Sequence, residues 1–435
     1  MQRLRLTSIL VYTAITDAIE FPSDELPLSP SHQMSQSKRH FEEFQPHSKH
    51  KHLILQRYLQ AWGHKLGLRP GAGAKILYVD ACAGRGRDDL GNHGSPLIAA
   101  EAAAVAQENV CSRRTTPFQI HVVGIEANRA HYEALERLLT PFGNTVTVLH
   151  GTLQERIGEL EGKFPNMPTL TFIDPFGLDP LRSQVVRRTL SGRKNEALLL
   201  FADQAALRHF GAITAEETRA ERRHRKAAIP LPLFPSLTAD GIEDLESAAV
   251  ESREALDITR ESALRIMNAA FGDKKWLAHI EQAPLNLRRR ALIDLYSARL
   301  QTWGANYPLR VPIVDSSGIH AYTLIHASKS PKAYVAMKEA VSYALEHSPL
   351  PHNVVEKMRE RVSSDLDSVE HAVRRQFVGA RIRWTENKQE RRVPCVRRFI
   401  LEKTEAYPFE LDEIKARLQP LKLPNRSIIY SFPSE

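Results

Sequence analysis

Two short stretches hold the residues best suited to chemistry. Asp174-Pro175-Phe176-Gly177 follows the apolar run Leu170-Thr171-Phe172-Ile173. Tyr78-Val79-Asp80-Ala81-Cys82-Ala83-Gly84-Arg85-Gly86 breaks out of a second apolar run, Lys75-Ile76-Leu77-Tyr78-Val79. A carboxylate followed by Pro and an aromatic at a strand end can orient an exocyclic amine. Asp174 and the carbonyl bound to Pro175 would accept the amine hydrogens, and Phe176 would stack on the base, leaving the nitrogen lone pair aimed at an electrophilic methyl group. That is catalysis by orientation and electrostatics, with little need for a strong base. The small residues after Asp80 let backbone approach a cofactor closely. Asp80, Ala83, Gly84 and Gly86 would hold the amino-acid end of S-adenosylmethionine. Each stretch also has a plain reading, as a strand-to-helix or strand-to-loop turn punctuated by Gly and Pro.

Strands must present both stretches at one edge of a sheet. Apolar strand patterns at 75–79, 119–125, 146–149, 170–173 and 197–202 alternate with helical patterns at 97–107, 129–139 and 153–160. The alternation implies a mainly parallel sheet with helices on both faces. A helix from residue 48 shows an apolar face at Leu55, Tyr58, Leu59 and Trp62 and is expected to end at Gly63 and Gly67. Ser95 is expected to cap the helix after the glycine turn, with Pro96 in its first position. Glu126 ends the second strand, where a carboxylate can accept ribose hydroxyls. Its distance from Asp80 exceeds the ~20 residues of a compact unit, and the polar stretches 87–95 and 108–117 account for the excess. After the third strand stands His150-Gly151-Thr152-Leu153 in place of the usual adenine-contacting acid, so that contact is assigned to the backbone at Thr152 or Leu153. No Gly-Lys-Ser/Thr follows the glycines, which disfavours a P-loop, and the G-x-G-x-x-G spacing of a dinucleotide site is absent.

In combination these motifs resemble the three-Cys-motif partner family (TcmP), a group of Rossmann-type methyltransferase-like proteins. The resemblance rests on 48–62, the 78–86 loop, Gly94-Ser95-Pro96-Leu97-Ile98-Ala99, Glu126, Asp174-Pro175-Phe176-Gly177 and Tyr322-Thr323-Leu324-Ile325-His326-Ala327-Ser328, and covers about 41–345. Ala81-Cys82 and Arg85 depart from the family's commoner residues. The resemblance implies an α/β, Rossmann-like methyltransferase domain and S-adenosylmethionine as cofactor. It also implies a cysteine-motif partner resembling radical-S-adenosylmethionine enzymes.

The expected organisation is a partly disordered N-terminal extension over 1–40 and a cofactor-binding core over 41–210. A helical insertion over 211–310, a return to the core over 311–346, and a charged, winged-helix-like region over 347–435 complete it. Met34 is a candidate start. With 59 Lys and Arg against 51 Asp and Glu, the net charge of +8 favours a polyanionic partner. Basic runs containing Arg222, Arg223, Arg225, Arg381, Arg383, Arg391 and Arg392 lie outside the sheet pattern, with Phe377 and Trp384 interleaved, and suggest a grip on DNA or RNA. Three scattered cysteines build neither a disulfide framework nor a Cys-rich zinc site and suit a reducing cytoplasm. Cys82 reads as small packing. His47, His50, His52 and His64 lack a zinc spacing and read as a solvated helix face, so no metal site is expected. No apolar run approaches the ~20 residues of a membrane span. Two other function classes remain open: a non-catalytic partner or nucleic-acid-binding scaffold, and a hydrolase using Asp174, Asp179 and Asp203 around a metal.

Overall fold

The structure is a computed structural model that describes residues 44–69, 75–164, 166–225, 259–378, 380–385, 395–418, 421–422 and 428–431. The expected N-terminal extension, Arg391 and Arg392 lie outside the described residues. In order, the core elements are α1 (Pro46–Gly67), β1 (Lys75–Asp80), α2 (Ser95–Cys111), β2 (Gln119–Glu126), α3 (Arg129–Leu139), β3 (Val146–His150), α4 (Leu153–Lys163), β4 (Thr169–Ile173), α5 (Ser183–Thr189) and β5 (Glu196–Phe201). Then come α6 (Asp203–Arg225), α7 (Arg260–Phe271), α8 (Lys275–Glu281), α9 (Arg288–Thr302), β6 (Tyr307–Val314), β7 (His320–Ser328) and α10 (Pro331–Glu346).

Seven strands form one sheet in the order β3-β2-β1-β4-β5-β7-β6. β1 to β5 are parallel, and β7 runs antiparallel to both β5 and β6. This is a Rossmann-like methyltransferase fold. Strand alternation sorts side chains to two cores. Ile76 and Tyr78 of β1 pack with α1, α2 and α10, whereas Leu77 and Val79 pack on the opposite face with α4 to α7 and α9. Every residue of β5 is buried, as expected of a strand covered on both faces. The strand order reverses between β1 and β4, so a crevice opens at their carboxyl ends. Asp80 closes β1 on one side of that reversal, and Asp174 follows β4 on the other.

Three local expectations are corrected. Gly63 does not end α1 but lies inside it, because the helix packs so tightly that a Cβ there would sit 2.7 Å from Ile120 Cδ1 and 3.2 Å from Ala106 Cβ. The cap of α2 is Gly94 rather than Ser95, whose hydroxyl is spent on Asp80 instead. The third is β6, which the sequence reading misses. Pro308 and Pro312 obscure its pattern, yet it is the edge strand, where a missing N–H is tolerated.

Helices α7 to α9 stand between α6 and β6 and join the second core: Phe201 stacks on Tyr296 at 4.6 Å and Phe271 on Trp276 at 5.8 Å. The chain ends with α11 (His352–Val362), α12 (Leu366–Gln376), β8 (Arg381–Arg383), α13 (Val396–Lys403), α14 (Leu411–Arg417), β9 (Leu421–Lys422) and β10 (Ile428–Ser431). The last three strands form an antiparallel sheet in the order β8-β10-β9 over a small core. Phe377 and Trp384 belong to that core, so they do not offer the surface stacking platform expected between the basic runs.

Candidate methyl-transfer site

The two sequence stretches meet at the carboxyl edge of the sheet. Asp80 is wholly buried, accepts a hydrogen bond from the Ser95 hydroxyl, and lies 3.4 Å from both the Tyr78 hydroxyl and the Cys82 amide. Burial pushes its carboxyl up to about 7; the Asp174 charge adds to that, while Ser95, Cys82 and Lys51 oppose it. Gly84 and Gly86 adopt positive φ values of 62° and 83°. A Cβ at Gly86 would stand 2.5 Å from Leu138 Cδ2 and 2.9 Å from Leu135 Cδ1, so both conformation and space demand glycine there. Gly86 carbonyl accepts from Gly94 N–H at 2.7 Å, which closes the long polar excursion between them. Ala83 is buried, and its N–H donates to the Ile125 carbonyl at 3.0 Å.

Glu126 ties the first two loops together. One carboxylate oxygen accepts from Gly84 N–H at 2.8 Å and the other from Asn128 N–H at 2.7 Å. Carboxylate oxygens have further lone pairs, so both can still receive a ribose hydroxyl. Thr152 caps α4 in a capping box: its amide donates to Glu155 at 2.8 Å, and its hydroxyl accepts from Glu155 N–H at 3.3 Å. A buried acid, a left-handed glycine turn and a strand-end carboxylate fit the amino-acid and ribose parts of S-adenosylmethionine. Cys82 lies among Asp174, Asp80 and Glu126, and burial together with those charges pushes its thiol far above the ordinary range. That disfavours a thiolate nucleophile at this position.

Across the crevice, Lys51 is the residue sequence reasoning missed. It lies on the buried side of α1, 3% exposed, and its ammonium donates to the Asp174 carboxylate, which is 19% exposed. The Lys51 ammonium also lies 5.8 Å from the Phe172 ring centre and 5.9 Å from that of Tyr322. His47, one turn earlier, meets Tyr322 edge-on at 5.8 Å. A signal existed: Lys51 falls in phase with the apolar stripe of Leu55, Tyr58 and Trp62. Of the histidines expected on a solvated face of this helix, His64 is half-exposed and meets Arg113 at the surface, but His50 and His52 are not solvated. His50 and His52 are buried because α1 is packed between α2 and α10. His50 Nδ1 meets Ser348 Oγ at 2.9 Å, burial pulls its imidazole down to about 4, and His52 meets Phe44 edge-on at 5.3 Å. Upstream of the helix, Phe44 N–H donates to Asp88 at 2.8 Å, binding this segment to the loop after β1.

Phe176 stands 71% exposed after Asp174 and Pro175. Leu90, from the loop after β1, and Ile319, from the β6–β7 turn, are also exposed at this edge. A cavity of about 420 Å³ lies elsewhere, at the amino ends of β4 and β5, and reaches none of these residues. Asp174, Asp179 and Asp203 do not converge: they pair separately with Lys51, Arg182 and His320. Among the described residues no group of three His, Cys, Asp or Glu side chains is placed to hold a metal. Of the basic residues, Arg383 is exposed, and the side chains of Arg222, Arg223, Arg225 and Arg381 lie outside the described residues. No described helix is long and apolar enough to cross a membrane.

No protein-family model and no curated protein matches the chain. Among solved structures, geranyl diphosphate C-methyltransferase from Streptomyces coelicolor A3(2), in complex with Mg²⁺, geranyl diphosphate and S-adenosylhomocysteine, is 14% identical. That match covers 62% of this chain and 79% of the other, with a TM-score of 0.24. A loganic acid methyltransferase with S-adenosylhomocysteine is 12% identical over 69% and 99% of the two chains, with a TM-score of 0.27. The YcgJ protein from Bacillus subtilis is 12% identical over 62% and 95%, with a TM-score of 0.23. At such scores the likeness carries no weight for substrate or reaction. The strand order, the antiparallel β7 and the helices on both faces give this chain a Rossmann-like fold with the strand topology of methyltransferase domains.

Proposed function

We propose that the chain is an S-adenosylmethionine-dependent methyltransferase acting on an exocyclic amine of a nucleic-acid base. The observation that carries this reading is the meeting of the two motifs at the sheet reversal, where Glu126 bonds Gly84 and the Asp174 charge reaches Asp80, Tyr78 and Cys82. Asp80, Ala83, Gly84 and Gly86 would cradle the amino-acid end of the cofactor, Glu126 its ribose, and the backbone near Thr152 its adenine. Bound there, the cofactor supplies a methyl group on a positively charged sulfur. Asp174 and the carbonyl preceding Pro175 would orient the amine, and Phe176 would stack on the base.

Nucleic acid as substrate is favoured by the basic balance and by the C-terminal unit. Its order of helix, strand, two helices and two strands, with β8 paired to β10 and β10 to β9, supports reading it as a winged-helix-like unit. A three-Cys-motif protein as partner rests on the sequence resemblance alone.

The ion pair between Lys51 and Asp174 favours a second reading, in which the chain is a non-catalytic Rossmann partner or a nucleic-acid-binding scaffold. The pair already engages the carboxylate that catalysis would use. Transfer of labelled methyl from S-adenosylmethionine to unfractionated tRNA and to single-stranded DNA separates the readings. Asp174→Ala is expected to keep cofactor affinity within about threefold while lowering transfer at least about a hundredfold, the range of a lost orienting or electrostatic contact. Equal loss of binding and transfer would remove Asp174 from the catalytic role. Cofactor binding without transfer to either acceptor would favour the scaffold.

A further inference from the structure

We infer that His320, held by Asp203, is the proton acceptor of this site; the inference rests on the methyl-transfer reading above. Asp203 follows β5, and β7 runs antiparallel to β5, so the first residue of β7 stands at the same carboxyl edge as Asp80 and Asp174. Asp203 is wholly buried. One of its oxygens accepts from His320 Nε2 at 2.6 Å and from the Thr323 hydroxyl at 2.7 Å, and the other has no hydrogen-bond partner among the described residues.

Residues three apart on a regular strand face opposite sides, so both could not reach one oxygen. The register of β6 on β7 slips between Ile313 and Val314, which face Tyr322 and His320, so Ala321 is an extra residue. This bulge re-aims His320 onto the carboxylate, and bulges of this kind are found beside active sites. Further bonds fix it. Gln204 donates to the His320 carbonyl at 2.7 Å, and Asp315 braces the turn by accepting from Ser317 N–H at 2.8 Å and Ile319 N–H at 3.0 Å.

The chemistry needs such a group. When an amine nitrogen attacks the methyl carbon, the N–C bond forms as the C–S bond breaks. The sulfur leaves as a neutral thioether, and the nitrogen is left with one proton to lose. Asp174 is neutralised by Lys51, and Asp80 is buried beneath the loop. His320 is different. With Nε2–H committed to Asp203, the imidazole is the tautomer whose Nδ1 lone pair accepts a proton, and the buried carboxylate stabilises the cation that results. The side chain is 11% exposed, which leaves it accessible while largely shielded.

Two readouts test this. Nitrogen NMR of the protein without cofactor is expected to show the His320 proton on Nε2, and Asp203→Asn is expected to redistribute it between the two nitrogens. His320→Gln is expected to bind S-adenosylmethionine as the wild type does, to transfer methyl to tRNA or single-stranded DNA at least about a hundredfold more slowly, and to lose the acid limb of the pH–rate profile. A His320→Gln protein with wild-type rate and pH profile would overturn the inference while leaving methyl transfer intact. So would a proton on Nδ1 in the wild type. Failure of the wild type to bind S-adenosylmethionine, or to transfer from it, would instead sink the methyl-transfer reading and the base role with it.

Discussion

Two buried lysines show how the same side chain serves different ends in this molecule. Lys51 of α1 donates to a charged group, the carboxylate of Asp174, at the edge where the sheet reverses. Lys338 of α10 donates only to neutral ones, the carbonyls of Leu401, Thr404 and Ala406 at 3.2, 2.7 and 2.8 Å. Those carbonyls end α13 and the turn after it, so Lys338 is a helix C-cap delivered from another element. Burial pulls its ammonium down to about 7, against the opposing charges of Glu410 and Glu405. Lys338 joins the C-terminal unit to the sheet domain. Lys51 joins helix α1 to the carboxylate that the proposed function assigns to amine binding. One is architecture, and the other sits where, on that proposal, a substrate amine would bind.

The largest expected effect breaks the architectural side of this contrast. Lys338→Ala leaves three carbonyls without a donor and should cost about 2–4 kcal/mol, since each unsatisfied buried group costs on the order of 1–3 kcal/mol and part is recovered by relaxation. Urea unfolding should show that loss, and hydrogen exchange should show the amides of α13 and α14 losing protection first. Cofactor affinity should be unchanged. A smaller effect on stability, with the larger one on function, is expected of Lys51→Met. Asp174 is partly open to solvent, which softens the loss of its partner, so the cost should stay near 1–2 kcal/mol. Methyl transfer should change by tenfold or more in either direction, because the lysine either orients Asp174 or competes with the substrate amine for it. Equal stability losses in the two variants, with no change in transfer, would erase the distinction.

Much of the sheet edge to which the proposed cofactor is assigned was legible in the sequence for a physical reason. Parallel strands buried on both faces are unbroken apolar runs, as at β1, β4 and β5, and their ends fall on Asp80, Asp174 and Asp203. Glu126 was readable as an acid at a strand end, and there it accepts from the Gly84 and Asn128 amides. The acceptor side was harder to read. The Lys51–Asp174 pair spans 123 residues, and nothing local announces it beyond a lysine in phase with an apolar stripe. Strand β6 was hidden by two prolines that only an edge position permits. The His320–Asp203 pair depends on a one-residue bulge, and a bulge is a property of two strands in register. Phe377 and Trp384 were read as surface because the charges around them are; tertiary packing placed both in a small core.

The central claim is that the crevice between β1, β2 and β4 binds S-adenosylmethionine over Asp80. Calorimetric titration of the whole protein with the cofactor tests it most directly. A carboxyl raised to about 7 by burial is protonated below that pH, and its ionised form is the one that attracts a cationic ligand. The account predicts one site per chain, with affinity falling several-fold as pH drops from about 8 through 7 toward 5.5, and with that pH dependence lost in Asp80→Asn. Because the carboxyl is raised in the fold, its contribution to stability has the opposite trend: full below the ordinary aspartate range and lost as pH rises through about 7. Tighter binding at higher pH therefore cannot come from a firmer fold. No binding heat at millimolar cofactor, at any pH between 5.5 and 8, would contradict the account.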